Sequence, residues 1–378
     1  MSVDSDPFFR LPTELCCAIV REWLYMDSVV NLDSAVCNTE KRSLLWSTIF
    51  ASPQCVARQC IAFDHTQELF DWLVRRRLRT YGLYCKWALN DSVREYLRAF
   101  GDTIRCFDFG YCDVMNYMHL ISQHCQNATC LSFGETNGLY LSSLIGHFSS
   151  KLKVLDISCV AFTDATDLEK LVKHCPNITH LTCPAFSDLF DNSCEVIGLN
   201  LKHLKYLDVS NTNATDEMLM DLAEHCNGTL EEFHLDYCDA LRGSGLNAWL
   251  QKCPKLRTVH FSYEEDNFVD FDISLLCNLT ELHIVNQNDT QAYMISIVTH
   301  CTNVERLLID WRDSPARVRY SRLFHLRELT SARLPALKVL TPFGMSQSEW
   351  DEFSLMRPDV FLELNCRVVY RRFFDMTF

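Results

Sequence analysis

One short pattern, apolar-x-x-apolar-x-apolar, returns along most of this chain and restricts what it can become. It stands at Leu78/Tyr81/Leu83, Ile104/Phe107/Phe109, Leu152/Leu155/Ile157, Ile178/Leu181/Cys183 and Leu204/Leu207/Val209. It continues at Leu230/Phe233/Leu235, Leu256/Val259/Phe261, Leu279/Leu282/Ile284 and Val304/Leu307/Ile309, with a weaker copy at Ala128/Leu131/Phe133. Successive copies begin 23 to 26 residues apart. A fixed period of this length marks a solenoid, in which each unit buries its apolar face only against its neighbours. Residues two apart point to the same side of a strand, so the last two apolar positions of each copy face one core.

Between the strands runs a second template, apolar at i, i+3, i+4 and i+7, which is one face of an α-helix. Val93/Tyr96/Leu97/Phe100, Leu141/Leu144/Ile145/Phe148 and Leu168/Leu171/Val172/Cys175 follow it. So do Leu219/Leu222/Ala223/Cys226, Leu246/Trp249/Leu250/Cys253 and Met294/Ile297/Val298/Cys301. A cysteine ends the segment before a new strand at Cys125, Cys175, Cys226, Cys253, Cys277 and Cys301. Metal sites do not recur with the period of a fold, so these cysteines are read as small hydrophobes closing the inner helical face. A second set, Cys85, Cys112, Cys159 and Cys238, is expected to pack against the turn leaving each strand. Thr163-Asp164 and Thr215-Asp216-Glu217 supply capping hydroxyls and first-turn acids at helix starts. The 20 cysteines include no CxxC pair, and the first residues are acidic where a signal peptide is basic. An intracellular chain, cytoplasmic or nuclear, with reduced thiols is expected.

Units such as Leu204-Lys205-Tyr206-Leu207-Asp208-Val209, followed by Thr215-Asp216, resemble the cysteine-containing class of leucine-rich repeats. The resemblance covers about Leu78 to Val304. It implies an α/β solenoid with parallel strands on a concave face and helices on a convex one. The expected organisation is a helical segment over 1–50, the repeat solenoid over 51–310, and irregular repeats with a C-terminal cap over 311–378. Leu337/Leu340 keeps half a strand motif there, and Val360 to Leu364 alternates as a terminal strand does.

In the first 50 residues, Leu11-Pro12 followed by Glu14-Leu15 sets a proline and an acid at a helix start. Leu15, Ile19 and Trp23, then Val29, Leu32 and Val36, form two short amphipathic segments. The order resembles the F-box, a helical module that docks a cullin-type ubiquitin ligase onto its Skp adaptor subunit. The resemblance implies adaptor-binding positions at Leu11, Pro12, Leu15, Ile19, Leu24, Val29, Leu32, Val36 and Cys37. The sequence departs from the F-box pattern after Cys37, because its tryptophan, Trp46, comes nine residues later. The other reading of the segment is a helical cap protecting the first repeat.

On repeat strands the residues between the inward apolar ones face outward. The central exposed column then reads Gly82, Asp108, Ser132, Asp156, Thr182, Asp208, His234, His260, His283 and Leu308. Candidate partner-binding residues on this face are Asp108, Asp156, Tyr206, Asp208, Glu232, His234, Asp236, His260, His283 and Arg306. Three histidines in one register beside Asp236 and Glu281 have the donor types of a transition-metal site or a pH sensor. They are read here as part of a protein-binding face, with no metal and no cofactor assigned. Arg306, Arg312, Arg317, Arg319, Arg322, Arg327 and Arg333 suit either an acidic or phosphorylated segment or a solvated, salt-bridged surface, and the latter is preferred. The run Arg75-Arg76-Arg77 closes a helix and needs no ligand.

A net charge of −14 argues against a nucleic-acid binder. No stretch approaches the roughly 20 apolar residues that cross a bilayer. Neither GxSxG, HExxH nor a phosphate-binding glycine loop occurs, so no enzyme is expected. The F-box resemblance implies a substrate-recognition subunit of a Skp–cullin–F-box ubiquitin ligase that binds an unidentified protein. The alternatives are a ligase-independent repeat scaffold and a small-molecule receptor of F-box type.

Overall fold

Among the described residues, three short α-helices precede the first strand: α1 (Thr13–Glu22), α2 (Met26–Ala35) and α3 (Thr39–Leu44), the last prolonged by a π-helical turn, Leu45–Phe50. The computed structural model describes residues 7–22, 24, 26–62, 67–84, 91–109, 118–134, 136–137, 146, 148, 150–161, 165–183, 197–226, 228–263, 270–286, 291–310, 329–343 and 347–362. The chain forms two compact units, one running to Leu155 and the other beginning at Asp156.

In the first unit, Asn38 starts α3 by accepting the Lys41 N–H at 3.0 Å. Cys16, Cys17, Val20, Val29, Leu45, Ile49 and Phe50 are buried, as are Cys55 and Ala57 beside them. After the helices come β1 (Val56–Ala62), α4 (Gln67–Arg76), β2 (Arg79–Tyr84), α5 (Asp91–Phe100), β3 (Cys106–Asp108), α6 (Met118–His124) and β4 (Cys130–Ser132). β1 to β4 are parallel neighbours in chain order. β1 lies ahead of the first repeat that the apolar spacing marks. A register shift between Ala57 and Cys60 interrupts its alternation and hides it from the pattern.

β5 (Val154–Asp156) spans the boundary between the units. The second unit continues with α7 (Ala165–His174), β6 (His180–Thr182), β7 (Tyr206–Asp208), α8 (Asp216–Cys226), β8 (Glu232–Leu235), α9 (Ser244–Lys252) and β9 (Thr258–Tyr263). A 3-10 turn (Ile273–Asn278), β10 (Glu281–Asn286), α10 (Gln291–His300), β11 (Arg306–Asp310), β12 (Val339–Phe343), α11 (Gln347–Met356) and β13 (Phe361–Leu362) complete it. β6 to β13 are again parallel and sequential. Where β7 to β12 begin, one carbonyl takes two successive N–H groups from the next repeat. Thr179 O serves Lys205 and Tyr206, Lys205 O serves Glu231 and Glu232, and Glu231 O serves Arg257 and Thr258. This fork pins the register, and a slip by one residue would turn every core side chain outward. The architecture is that of a leucine-rich-repeat solenoid, α/β, with one parallel strand per repeat.

The apolar positions of the strand motif are buried from Leu204/Leu207/Val209 through Val304/Leu307/Ile309. Cys125, Cys175, Cys253 and Cys301 are buried at the helix ends. Burial pushes the thiols of Cys125, Cys175 and Cys301 up to about 12, so they stay protonated and inert. Cys277 departs from the expectation: it is exposed, and Leu276 fills the inward slot. The segment winds as a 3-10 turn of three residues per turn, which shifts the inward face by one position. Cys238 packs as expected, with Sγ 3.2 Å from Val209 O, but Cys159 is exposed. Cys85, Cys112, Leu141, Leu144, Ile145 and Thr163-Asp164 lie outside the described residues.

Helix starts are stitched between repeats. Thr215 accepts the Met218 N–H at 3.4 Å in its own repeat. The Asp216 carboxylate instead reaches the next repeat and accepts from the backbone N–H groups of Arg242, Gly243 and Gly245 at the start of α9. Gly243 holds φ +104°, and a Cβ there would sit 2.6 Å from that of Phe271. Near the C-terminus, buried Arg357 donates to the carbonyls of Leu329 (2.9 Å), Leu334 (3.4 Å) and Leu337 (3.3 Å), and pairs with Asp359 at 2.9 Å.

Candidate functional site: a histidine ladder and an apolar N-terminal face

Parallel pairing places Asp208, His234, His260, His283 and Leu308 opposite one another on β7 to β11. A second row holds His180, Tyr206, Glu232, Thr258, Glu281 and Arg306. The strand alternation predicts an exposed histidine row. The structure corrects this: His234, His260 and His283 are 8%, 5% and 7% exposed, and Tyr206 and Leu308 are equally buried. Strands about 4.8 Å apart bring the rings into contact, and each ring shields the next. His234 and His260 stack with centroids 3.7 Å apart, and His260 meets His283 edge-on at 4.6 Å. Tyr206 lies 4.8 Å from His234, and His180 stacks on Tyr206 at 5.8 Å. His180 thus joins the ladder unforeseen; its position two residues before Thr182, in register with Tyr206, is the signal that could have found it.

Carboxylates surround the rings. Glu232 accepts from His234 Nε2 at 2.6 Å, and Asp208 Oδ2 lies 3.9 Å from His234 Nδ1. The Tyr206 hydroxyl donates to Asp208 at 3.3 Å. Burial disfavours charge on His234, but the Glu232 hydrogen bond and the charges of Asp208, Glu232 and Asp236 outweigh it and raise its pKa. Burial, with Asp208 and Asp310 adding to it and His234 opposing, pushes the Asp236 carboxyl up to about 7. Burial lowers His180. Across the ladder, His283 Nδ1 lies 2.9 Å from His260 Nδ1. Two sets of donor atoms fall within 4.8 Å of one another: Glu232, His234 and His260, and Asp236, His260 and His283.

Asp156 and Asp208 are half-buried, whereas Thr258 and Ser132 are buried. Asp156 and Asp208 each turn back to accept a backbone N–H two residues on, from Ser158 at 3.0 Å and Ser210 at 2.9 Å. Arg306 is half-buried on β11, opposite Glu281. Asp108 is half-buried on β3 in the first unit. An open polar groove lined by Glu231, Glu232, Lys255, Arg257 and Thr258 runs where β8 and β9 begin. Of the arginine cluster, Arg312, Arg317, Arg319, Arg322 and Arg327 lie outside the described residues, and Arg333 is exposed. Arg75 pairs with Asp71 at 4.0 Å, four residues before it.

The N-terminal candidates divide by face. Val29 is fully buried in the core and offers no surface. Leu15 is 47% exposed, Pro12 and Cys37 are exposed, and Leu11, Ile19, Leu24, Leu32 and Val36 are half-buried. Trp46 turns inward: its indole N–H donates to Asp33, which also accepts from Trp72 and Arg76 at 3.0 Å each. The Arg76 guanidinium lies 3.7 Å from the centre of the Trp46 ring. This cluster ties α2 and the π-helical turn to α4. No helix among the described residues is long and apolar enough to cross a membrane.

No protein-family model matches the sequence, and no curated protein does. The fold is similar to a chain in the crystal structure of the Rad7 and Elc1 complex of yeast, with a TM-score of 0.50 at 11% identity, covering 93% of this chain and 91% of that one.

Proposed function

We propose that this chain is a protein-interaction adaptor, the substrate-recognition subunit of a Skp–cullin–F-box ubiquitin ligase working in the cytoplasm or nucleus. The observation that carries the reading is the two-sidedness of the N-terminal helices. One side is consumed by the fold, through Cys16, Cys17, Val20 and Val29. The other leaves Leu15 open, with Leu11, Ile19, Leu24, Leu32 and Val36 partly so, at positions that the F-box resemblance assigns to the Skp-type adaptor. Apolar side chains grouped on a face that the fold does not need are a usual mark of a protein contact. Yeast Rad7, whose structure was solved in complex with a second protein, is in keeping with such a scaffold.

On this reading the strand face of the second unit holds the target. Buried rings rimmed by Asp208, Glu232, Asp236 and Arg306 match the usual anatomy of an interface, an aromatic centre with a polar edge. The chain lowers no chemical barrier; it raises the concentration of the target near the ligase. The test is titration calorimetry of the full chain with a recombinant Skp-type adaptor. Leu15→Asp should weaken binding by about tenfold or more. Its melting temperature should stay put, because the site is exposed and an acid suits the first turn of α1. An unaltered chain that fails to bind any Skp-type adaptor would sink the ligase reading and leave a ligase-independent scaffold using the same strand face.

A further inference from the structure

We propose that Asp236, His260 and His283 form a binding site for one first-row divalent metal ion of the zinc type, held by two imidazole nitrogens and one carboxylate oxygen. Three observations carry it. First, the donor atoms lie close together: all three fall within 4.8 Å of one another, and the two Nδ1 atoms share a hydrogen bond at 2.9 Å that a bound ion would replace. Nitrogens bound at about 2.0–2.1 Å around a tetrahedral ion sit roughly 3.3 Å from each other. Admitting an ion therefore needs a parting of the rings by a few tenths of an ångström, and a rotation of the Asp236 side chain to bring its carboxylate in.

Second, the donors stand on a frame that holds its shape. His260 and His283 come from adjacent strands whose register is set by the backbone forks, and Asp236 directly follows β8, the neighbour of β9 on the other side. Sites built on strands keep their ligand geometry better than sites on loops. Stacking against His234 further fixes the His260 ring.

Third, the surroundings favour a cation. Asp236 Oδ1 is buried and has no hydrogen-bond donor among the described residues. The charges of Asp208 and Asp310 act on Asp236, and Asp310 is itself buried. A buried acceptor lacking a donor is costly, and a positive ion supplies what is missing. The neighbouring set of Glu232, His234 and His260 is the weaker candidate, because none of its side-chain atoms is buried without a hydrogen-bond partner as Asp236 Oδ1 is.

The donor set selects the metal class. Imidazole with carboxylate suits zinc, copper, nickel or cobalt, whereas calcium and magnesium require mostly oxygen. Three protein ligands leave one position of a tetrahedral ion for water or a further donor.

The probe is the metal alone. Zinc is titrated into chelator-stripped full-length protein and into Asp236→Asn, His283→Gln and, as a control on an exposed helical histidine, His174→Gln, with circular dichroism checking each fold. The unaltered chain and His174→Gln should bind one equivalent with a dissociation constant of about 10 μM or tighter, and the other two should lose about tenfold or more. Absence of saturable binding in the unaltered chain, or equal binding in Asp236→Asn and His283→Gln, overturns the site. Should those variants misfold, X-ray absorption of the zinc-loaded unaltered chain decides. Imidazole scattering without sulfur is expected, and a sulfur shell would instead place the metal on the chain's cysteines.

Discussion

Trp46, out of place by F-box spacing, donates its indole N–H to Asp33, and the same carboxylate takes Trp72 and Arg76. Asp33 is 4% exposed, so its charge is tolerated only because these donors meet it. Burial alone would raise its pKa, yet the hydrogen bonds of Trp46, Arg76 and Trp72 bring it below the ordinary 3.8. A carboxyl depressed in the folded state stabilises above its unfolded pKa, and that contribution fades as pH falls through the folded one. Asp33→Asn should therefore cost the first unit about 3 kcal/mol near neutral pH. Thermal unfolding followed from pH 7 down to pH 3 should show a smaller acid-induced loss in the variant than in the unaltered chain.

Repeats are joined at the level of elements by side chains that cap the helix of the next unit. Asp216→Ala should release the N–H groups of Arg242, Gly243 and Gly245 and destabilise the second unit by about 1–2 kcal/mol, read as a lower denaturation midpoint in urea. Strands and helices of the repeats were legible in the sequence because backbone periodicity forces apolar residues such as Leu204, Leu207 and Val209 into fixed steps. β1 was not, since its bulge breaks the step, and Cys277 was misplaced because a 3-10 turn advances differently from an α-helix. The alignment of His234, His260 and His283 could be read from the same spacing. Their burial could not, because it depends on ring-to-ring contact between strands rather than on anything within one repeat.

At the scale of the whole molecule, the N-terminal helices both finish the first unit and leave Leu15 on the surface. Cutting away residues 1–50 would remove the buried residues Val29, Leu45 and Phe50 together with any docking surface, and so could not separate the two roles. A point change on the open side can. The most direct measurement is affinity capture from cells of the full-length chain and of Leu15→Asp, with the bound proteins quantified. The account predicts that Skp and cullin subunits accompany the unaltered chain and fall away from Leu15→Asp, while proteins held by the strand face remain with both. Equal recovery of the ligase subunits on both chains, or their absence from both, would contradict it.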